Sequence, residues 1–272
     1  MDHAGRLRRL RYGMEENDLD LLLVTHLPNI RYLCGFTGSA AALMVADRGS
    51  ILFTDGRYRT QAREEVKGAN VEHVRIVITR KSPLVAAAEW LAEHKRGSAP
   101  PCVGFEPESI SAGMRDRLAS VLKGRARLRS APPLVERARM VKDADEILRI
   151  RRAVDLGASL FRIAREKIRP GVSEVEVAAA MEYEARCAGA EGMSFPTILA
   201  SGSRSAIVHG RASNARLPRQ GFVVCDFGVI LTGYCSDRTE LCMSDGLREK
   251  HEACTKLCWR RSRPRSRWFV RA

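Results

Sequence analysis

Residues 221–243 read GFVVCDFGVILTGYCSDRTELCM, two apolar runs that alternate with a period of two on either side of Thr232-Gly233. That period marks strands, and a short Gly-containing break between two such runs marks a β-hairpin. With the loop centred on Leu231-Thr232, Asp226 and Asp237 fall directly opposite each other, a placement that brings Cβ atoms to roughly 4.5–5.5 Å. Moving the centre by one residue makes the pair diagonal, still within reach of one shared ion. Two carboxylates that meet on an apolar hairpin repel and are costly to bury, and a divalent cation removes that cost because it favours hard oxygen ligands. Two other arrangements satisfy the same spacing. Asp237 can pair with Arg238 or Arg211, and Asp226 can sit at a strand end facing solvent.

Upstream of the hairpin, Ser173-Glu174-Val175-Glu176 has the form of a capping box opening a helix that runs to about Cys187. Before it, DEILRIRRAVDLGASLFRIAREKI predicts a long helix, started by Asp143 and stopped by Pro170-Gly171, with an apolar stripe through Ile147, Ile150, Val154, Leu156, Leu160, Ile163 and Ile168. The first half alternates the two periods. LDLLLVT, ALMVAD, ILFTDGRY, VEHVRIV, CVGFE and ARLRSA read as strands, while residues 4–18, PLVAAAEWLAEH and ISAGMRDRLASVL read as helices. Mixed strands with helices between them predict an α/β domain over 1–135, a linker at 136–143, and an α+β domain over 144–257.

The chain's 272 residues, 45% hydrophobic and 29% charged, suffice for two cores. The N-terminus MDHAGRLRRLRYGM has no apolar stretch behind its charges, and no run approaches the roughly 18 apolar residues of a membrane span, so a cytoplasmic location is expected. Of eight cysteines, Cys34, Cys102, Cys187 and Cys225 stand singly in apolar segments and read as buried thiols, and Cys235, Cys242, Cys254 and Cys258 lack the paired spacing of a zinc ribbon. The net charge is +14, but Arg260–Ala272 holds six arginines and no acid, which leaves a diffuse +8 elsewhere. Such a spread describes a solvated surface better than a nucleic-acid stripe, and neither membrane nor nucleic acid is expected as a partner.

The order CDFGVILTGYCSDRTE is similar to the metal-site hairpin of the Xaa-Pro aminopeptidase and Xaa-Pro dipeptidase (prolidase) family, which shares the pita-bread fold with methionine aminopeptidases and creatinase. MSFPTILASGSRSAIVHGRAS resembles that family's substrate-side segment, and NIRYLCGFTGS and LFTDGRYRTQA resemble its N-terminal domain. The resemblance covers about residues 1–253 and implies a creatinase-type α/β domain followed by an incomplete α+β pita-bread peptidase domain. It implies hydrolysis of the peptide bond before proline with two divalent metal ions, manganese, cobalt or zinc, held by two Asp, one His and two Glu. Asp226 matches the first aspartate and Asp237 the bridging one. His209 matches a histidine that donates a hydrogen bond to the peptide, and Phe195 is placed in the substrate pocket. Tyr234 and Thr239 flank the aspartates as candidate supporting partners. Asp55, Arg57 and Tyr58 read as structural or interfacial. Proline-containing peptides are the implied substrates and a homo-dimer the implied assembly.

The family's remaining histidine and two glutamates belong roughly a hundred residues beyond the second aspartate, and they are absent from the 35 residues after Asp237. His251 sits in a helical context that does not match them. CWRRSRPRSRWFVRA, including the basic tail 258–272, departs from the family texture, and only eight of the 46 basic residues are lysines. A frameshift near 254–258 accounts for both features, with a deliberate basic tail as the competing account. The expectation is an inactive fragment lacking three of five ligands, since two aspartates alone bind a transition metal poorly and place no second ion. The alternative from another class is a pita-bread module that binds protein or RNA without catalysis, for which retained aspartates have no use.

Overall fold

The computed structural model describes residues 1–71, 73–94 and 99–244. The chain divides into one unit of Met1–Asp143 and a second that begins at Ala144.

In the first unit the apolar runs become one six-stranded mixed sheet. Its strands are β1 (Leu21–Val24), β2 (Ala41–Ala46), β3 (Gly49–Asp55), β4 (Val74–Thr79), β5 (Cys102–Phe105) and β6 (Arg127–Ser130), in the order β4-β3-β2-β1-β5-β6. β1, β2 and β3 pair antiparallel, and the flanking pairs β3–β4, β1–β5 and β5–β6 are parallel. The helices are α1 (His3–Glu15), α2 (Leu27–Cys34), α3 (Arg59–Gly68), α4 (Pro83–Glu93), α5 (Ala112–Val121) and α6 (Leu134–Met140). Leu22 and Val24 face one core, with α1 and α2 residues such as Leu7 and Ile30. Leu23 faces the other, with Leu84 and Leu118 of α4 and α5. A strand covered on both faces has no polar side to show, which is why LDLLLVT is a continuous apolar run rather than an alternating one. The segment read as a linker, 136–143, overlaps α6, whose Val135 is 2% exposed in the first core.

The second unit opens with α7 (Ala144–Lys167) and α8 (Glu174–Cys187). Ser173 caps α8 as its sequence predicts. Glu176 N donates to Ser173 Oγ at 3.3 Å, and Ser173 N donates back to the Glu176 carboxylate at 2.7 Å. The predicted stripe is buried at Leu160 and, just past α7, at Ile168, and is displaced toward the start of the helix. Its buried residues are Glu146, Ala153, Gly157, Leu160 and Ala164, whereas Ile147 and Val154 are each 43% exposed. Small residues take part of the buried stripe, and at Gly157 the Ser236 side chain lies close against the helix. A Cβ on Gly157 would stand 3.3 Å from Ser236 Oγ.

Six strands follow: β7 (Gly192–Met193), β8 (Ile198–Ser201), β9 (Phe222–Phe227), β10 (Val229–Leu231), β11 (Tyr234–Cys235) and β12 (Arg238–Met243). They form two three-stranded sheets, β11-β10-β7 and β12-β9-β8. The hairpin expected at 221–243 is present, but its register differs from the one placed on Leu231-Thr232. Leu231 faces Tyr234, so the turn is Thr232-Gly233, with φ of 51° and 82°. A two-residue hairpin turn of this kind needs positive φ at both positions, and glycine adopts it without strain. Asp226 therefore faces Thr239 rather than Asp237, and the two aspartates are diagonal neighbours.

Among the described residues Cys34, Cys102 and Cys225 are buried free thiols, and burial pushes the Cys34 thiol up to about 12, which leaves it unreactive. Cys187, read as buried, is exposed because it closes the last turn of α8. Cys254, Cys258, His251 and the tail 258–272 lie outside the described residues. No helix among the described residues is long and apolar enough to cross a membrane.

Candidate metal centre

The hairpin is one continuous turn of chain, yet it contributes to two sheets, and the change occurs at Gly228 and Ser236-Asp237. A Cβ on Gly228 would lie 1.9 Å from the Ser236 carbonyl oxygen, so only glycine lets the two backbones close there. Ser236 fills the gap. Its Oγ accepts from Val229 N at 3.1 Å, its N donates to Val229 O at 2.9 Å, and its carbonyl accepts from Ser194 Oγ at 2.8 Å. Ser194 N donates to Gly228 O at 2.9 Å, which ties the SFPTI segment to the same point. Asp226 and Asp237 flank this junction.

Asp226 is half-buried on β9, and its Oδ1 accepts from Thr239 Oγ1 at 2.9 Å. Thr239 is thus the partner that its position beside the aspartates suggested. Asp237 is exposed between β11 and β12. Arg238 is turned to the Glu240 carboxylate through Nε at 2.7 Å, and the Arg211 backbone carbonyl accepts from Arg204 Nη2 at 2.9 Å. Among the described residues no cation pairs with Asp226 or Asp237. The Tyr234 hydroxyl donates to Glu146 of α7 at 3.0 Å.

The substrate-side segment lies across the same sheet. Ile198 of β8 faces Asp226 on one side and bridges Arg211 on the other, so Arg211, Ile198, Asp226 and Thr239 form one cross-strand row. Gly210 sits where a Cβ would approach Ala200 Cβ to 3.1 Å, which allows the His209-Gly210-Arg211 strand to close on β8. His209 is exposed, in a loop whose Val208 is 81% exposed, and Phe195 is half-buried just before β8. The structure therefore gathers the two aspartates and the SFPTI segment at one junction and leaves His209 on a projecting loop.

One residue of this region was not singled out from the sequence. Glu174, first residue of α8, is fully buried and accepts from Ser201 N and Oγ, Ser213 N and Oγ, and Arg204 Nε. The available clue was that residues 192–225 contain four arginines and no acid, so their donors need a carboxylate from elsewhere. Burial pushes the Glu174 carboxyl up, but hydrogen bonds from Ser213 and Ser201 and the charge of Arg204 outweigh it, and the group ends below its ordinary 4.5. A carboxyl lowered on folding contributes stability above its unfolded value and loses it as pH falls through the folded one. Thermal melts from pH 7 to pH 3 are expected to show the second unit weakening below about pH 4.5. Glu174→Gln should flatten that slope; a slope unchanged by the substitution would assign it to other carboxyls.

Asp226 and Asp237 are the residues here that could hold a divalent metal. Two hard carboxylate donors without cationic partners stand as diagonal neighbours, one oriented by Thr239, which suits such an ion. No group of three or more His, Cys, Asp or Glu that could hold a metal occurs among the described residues.

Comparison with known proteins identifies the families of the two units. Residues 6–141 match the family described as Creatinase/Prolidase N-terminal domain, and residues 149–260 match metallopeptidase family M24. The chain is 34% identical over 235 residues to the uncharacterized peptidase YqhT of Bacillus subtilis (strain 168), a match over 86% of this chain and 64% of that protein. The structure of an Xaa-Pro dipeptidase from Bacillus anthracis superposes with a TM-score of 0.83 at 29% identity, over 94% of this chain and 69% of that one. The prolidase from Pyrococcus horikoshii OT3 gives 0.81 at 26% identity, over 93% and 69%. The sequence thus spans a little under two thirds of YqhT. The chain belongs to the creatinase/prolidase N-terminal domain family in its first unit and to the pita-bread metallopeptidases of family M24 in its second.

Proposed function

We propose that this chain carries the first two carboxylate ligands of a metal-dependent exopeptidase that hydrolyses the bond before proline. The observation that carries the reading is the pair Asp226 and Asp237, unpaired with any cation among the described residues and held at the Gly228–Ser236 junction beside the SFPTI segment. Bound divalent ions, manganese, cobalt or zinc, would supply Lewis acidity and activate a water. Asp226, aimed by Thr239, and Asp237 would hold them; Phe195 would offer an apolar wall to the substrate; His209 would donate a hydrogen bond to the peptide. Proline-containing peptides are the substrates this arrangement suits, and a homo-dimer the assembly.

A protein made of these 272 residues alone brings two of the five ligands the family reading requires, and it should not turn over an Xaa-Pro dipeptide even with added manganese. Measurable turnover would overturn that expectation. Paramagnetic broadening tests the site without activity. Manganese is expected to broaden the backbone signals of 226–228 and 236–239 first, and the Asp226→Asn/Asp237→Asn double variant should abolish the preference. Uniform broadening in the unmodified chain would sink the assignment of these two ligands.

A further inference from the structure

We propose that Glu174 is a positioning residue that fixes the orientation of the His209 loop, an inference that rests on the reading of His209 as a substrate contact. The carboxylate divides its oxygens between the two ends of the loop. Oε1 accepts from Ser201 N at 2.8 Å and Ser201 Oγ at 2.9 Å, where the loop leaves β8. Oε2 accepts from Ser213 N at 3.1 Å and Ser213 Oγ at 2.7 Å, where the loop returns. Arg204 lies over both oxygens at 3.3 and 3.2 Å and hands its Nη2 to Arg211 O at 2.9 Å, which cross-links the interior of the loop to the same point.

Between these anchors the loop has little packing of its own. Ile207 is 51% exposed and Val208 81%, so these two residues give His209 no core anchor, and the nearest packing is that of Gly210 against Ala200. Direction comes from the ends: the Arg211–Ile198 bridge and the hydrogen bond from Val175 N to Ser213 O hold the returning backbone, and the Glu174 side chain, at the start of an α8 capped by Ser173 and Glu176, joins that end to the departing one. A negative charge in the first turn also complements the helix dipole. Well-packed apolar residues generally stabilise a core as well as a buried ion pair does. What the carboxylate adds is a fixed geometry for donors drawn from Ser201 at the end of β8 and Ser213 beyond the loop.

The test uses the 272-residue chain with Glu174→Gln and the milder Ser213→Ala, reading the His209 ring by histidine-selective NMR and the loop backbone by hydrogen exchange. In Glu174→Gln, exchange over 202–212 should quicken at least about tenfold, the scale of losing one hydrogen bond to a charged group. The His209 ring signal should move, while exchange in β9 and β12 stays as it was. An unmoved His209 signal, or exchange that quickens equally throughout the second unit, would overturn the proposal. Should Glu174→Gln fail to fold, Ser213→Ala, which keeps the carboxylate and removes one donor, makes the same comparison. An added Xaa-Pro dipeptide separates the clamp from the substrate reading. A dipeptide that shifts the His209 signal, about tenfold more weakly in the variant, supports both. One that leaves His209 untouched in the unmodified chain refutes the substrate contact, and the ring comparison still decides the clamp.

Discussion

Gly228→Ala is expected to destabilise the second unit by about 3 kcal/mol or more, with the damage centred on the hairpin. The added Cβ would stand 1.9 Å from Ser236 O and 2.7 Å from Ser236 C, both backbone atoms, so no side-chain rotation relieves it. The strands must part, and the Val229–Ser236 pair of hydrogen bonds, at 2.9 and 3.1 Å, is the first to break. Hydrogen exchange should quicken in β9 to β12, while β1 to β3 of the first unit keep their protection. Gly113→Ala supplies the control, since nothing lies within 4 Å of a Cβ there and it sits inside α5. That change should be neutral or stabilising by up to about 1 kcal/mol. A Gly228→Ala chain with unaltered exchange would mean that the junction opens without cost, and the placement of Asp237 would lose its structural basis.

The same glycine shows what was legible from residue order and what was not. Alternation at 221–243 gave the hairpin and brought the aspartates near each other, because a period of two is a property of one strand alone. The register is a property of the turn. Leu231, Thr232 and Gly233 all lie in the break between the two runs, and the positive φ of Thr232 and Gly233 is what sets the turn on those two residues. Gly228 and Ser236 mark the point where one hairpin passes between two sheets, and their roles arise from a contact across the hairpin that no local pattern encodes. The displaced stripe of α7 has a similar cause. Apolar periodicity selects Ile147 and Val154, but the buried face carries Ala153 and Gly157, the latter tight against Ser236 Oγ. Glu174 looked like the second letter of a capping box; its burial depends on Ser201 and Ser213, far along the chain. The α/β reading of the first unit fared well for the opposite reason. Its central strands are short, strongly apolar and bounded by turn residues, so they declare themselves locally, whereas the short helices α2, α3 and α6 carry no such signal and appear only in the structure.

Arg6→Ala is expected to cost the first unit about 2–4 kcal/mol, from the cavity left by a buried side chain and the loss of its charged hydrogen bonds. Arg6 sits on α1 with 1% of its surface exposed, although arginine is almost never fully buried unless paired. Its guanidinium donates to Tyr32 O at 3.1 Å and to Asp143 Oδ2 at 2.7 Å, and it stacks over the Tyr32 ring at 4.0 Å. His3 Nδ1 reaches the same Tyr32 carbonyl at 3.0 Å, so α1 is fastened to the end of α2 through one acceptor. Three losses combine in the alanine variant: the stacked plane, the paired charge and the volume of the long stem. Arg6→Met keeps much of the stem and should recover part of the stability, about 1–2 kcal/mol, because the apolar chain still packs in the first core. Arg6→Lys should recover less than its charge suggests, since an ammonium neither stacks as a plane nor forks between two acceptors. Asp143→Asn retains an acceptor for the guanidinium and, with that carboxylate 34% exposed, should cost only about 1 kcal/mol. Urea unfolding of the full chain, read by exchange in α1 and β1, orders the four variants. If Arg6→Met proved as damaging as Arg6→Ala, the stability would lie in the polar contacts alone; if Arg6→Ala were nearly neutral, the buried guanidinium would be holding nothing.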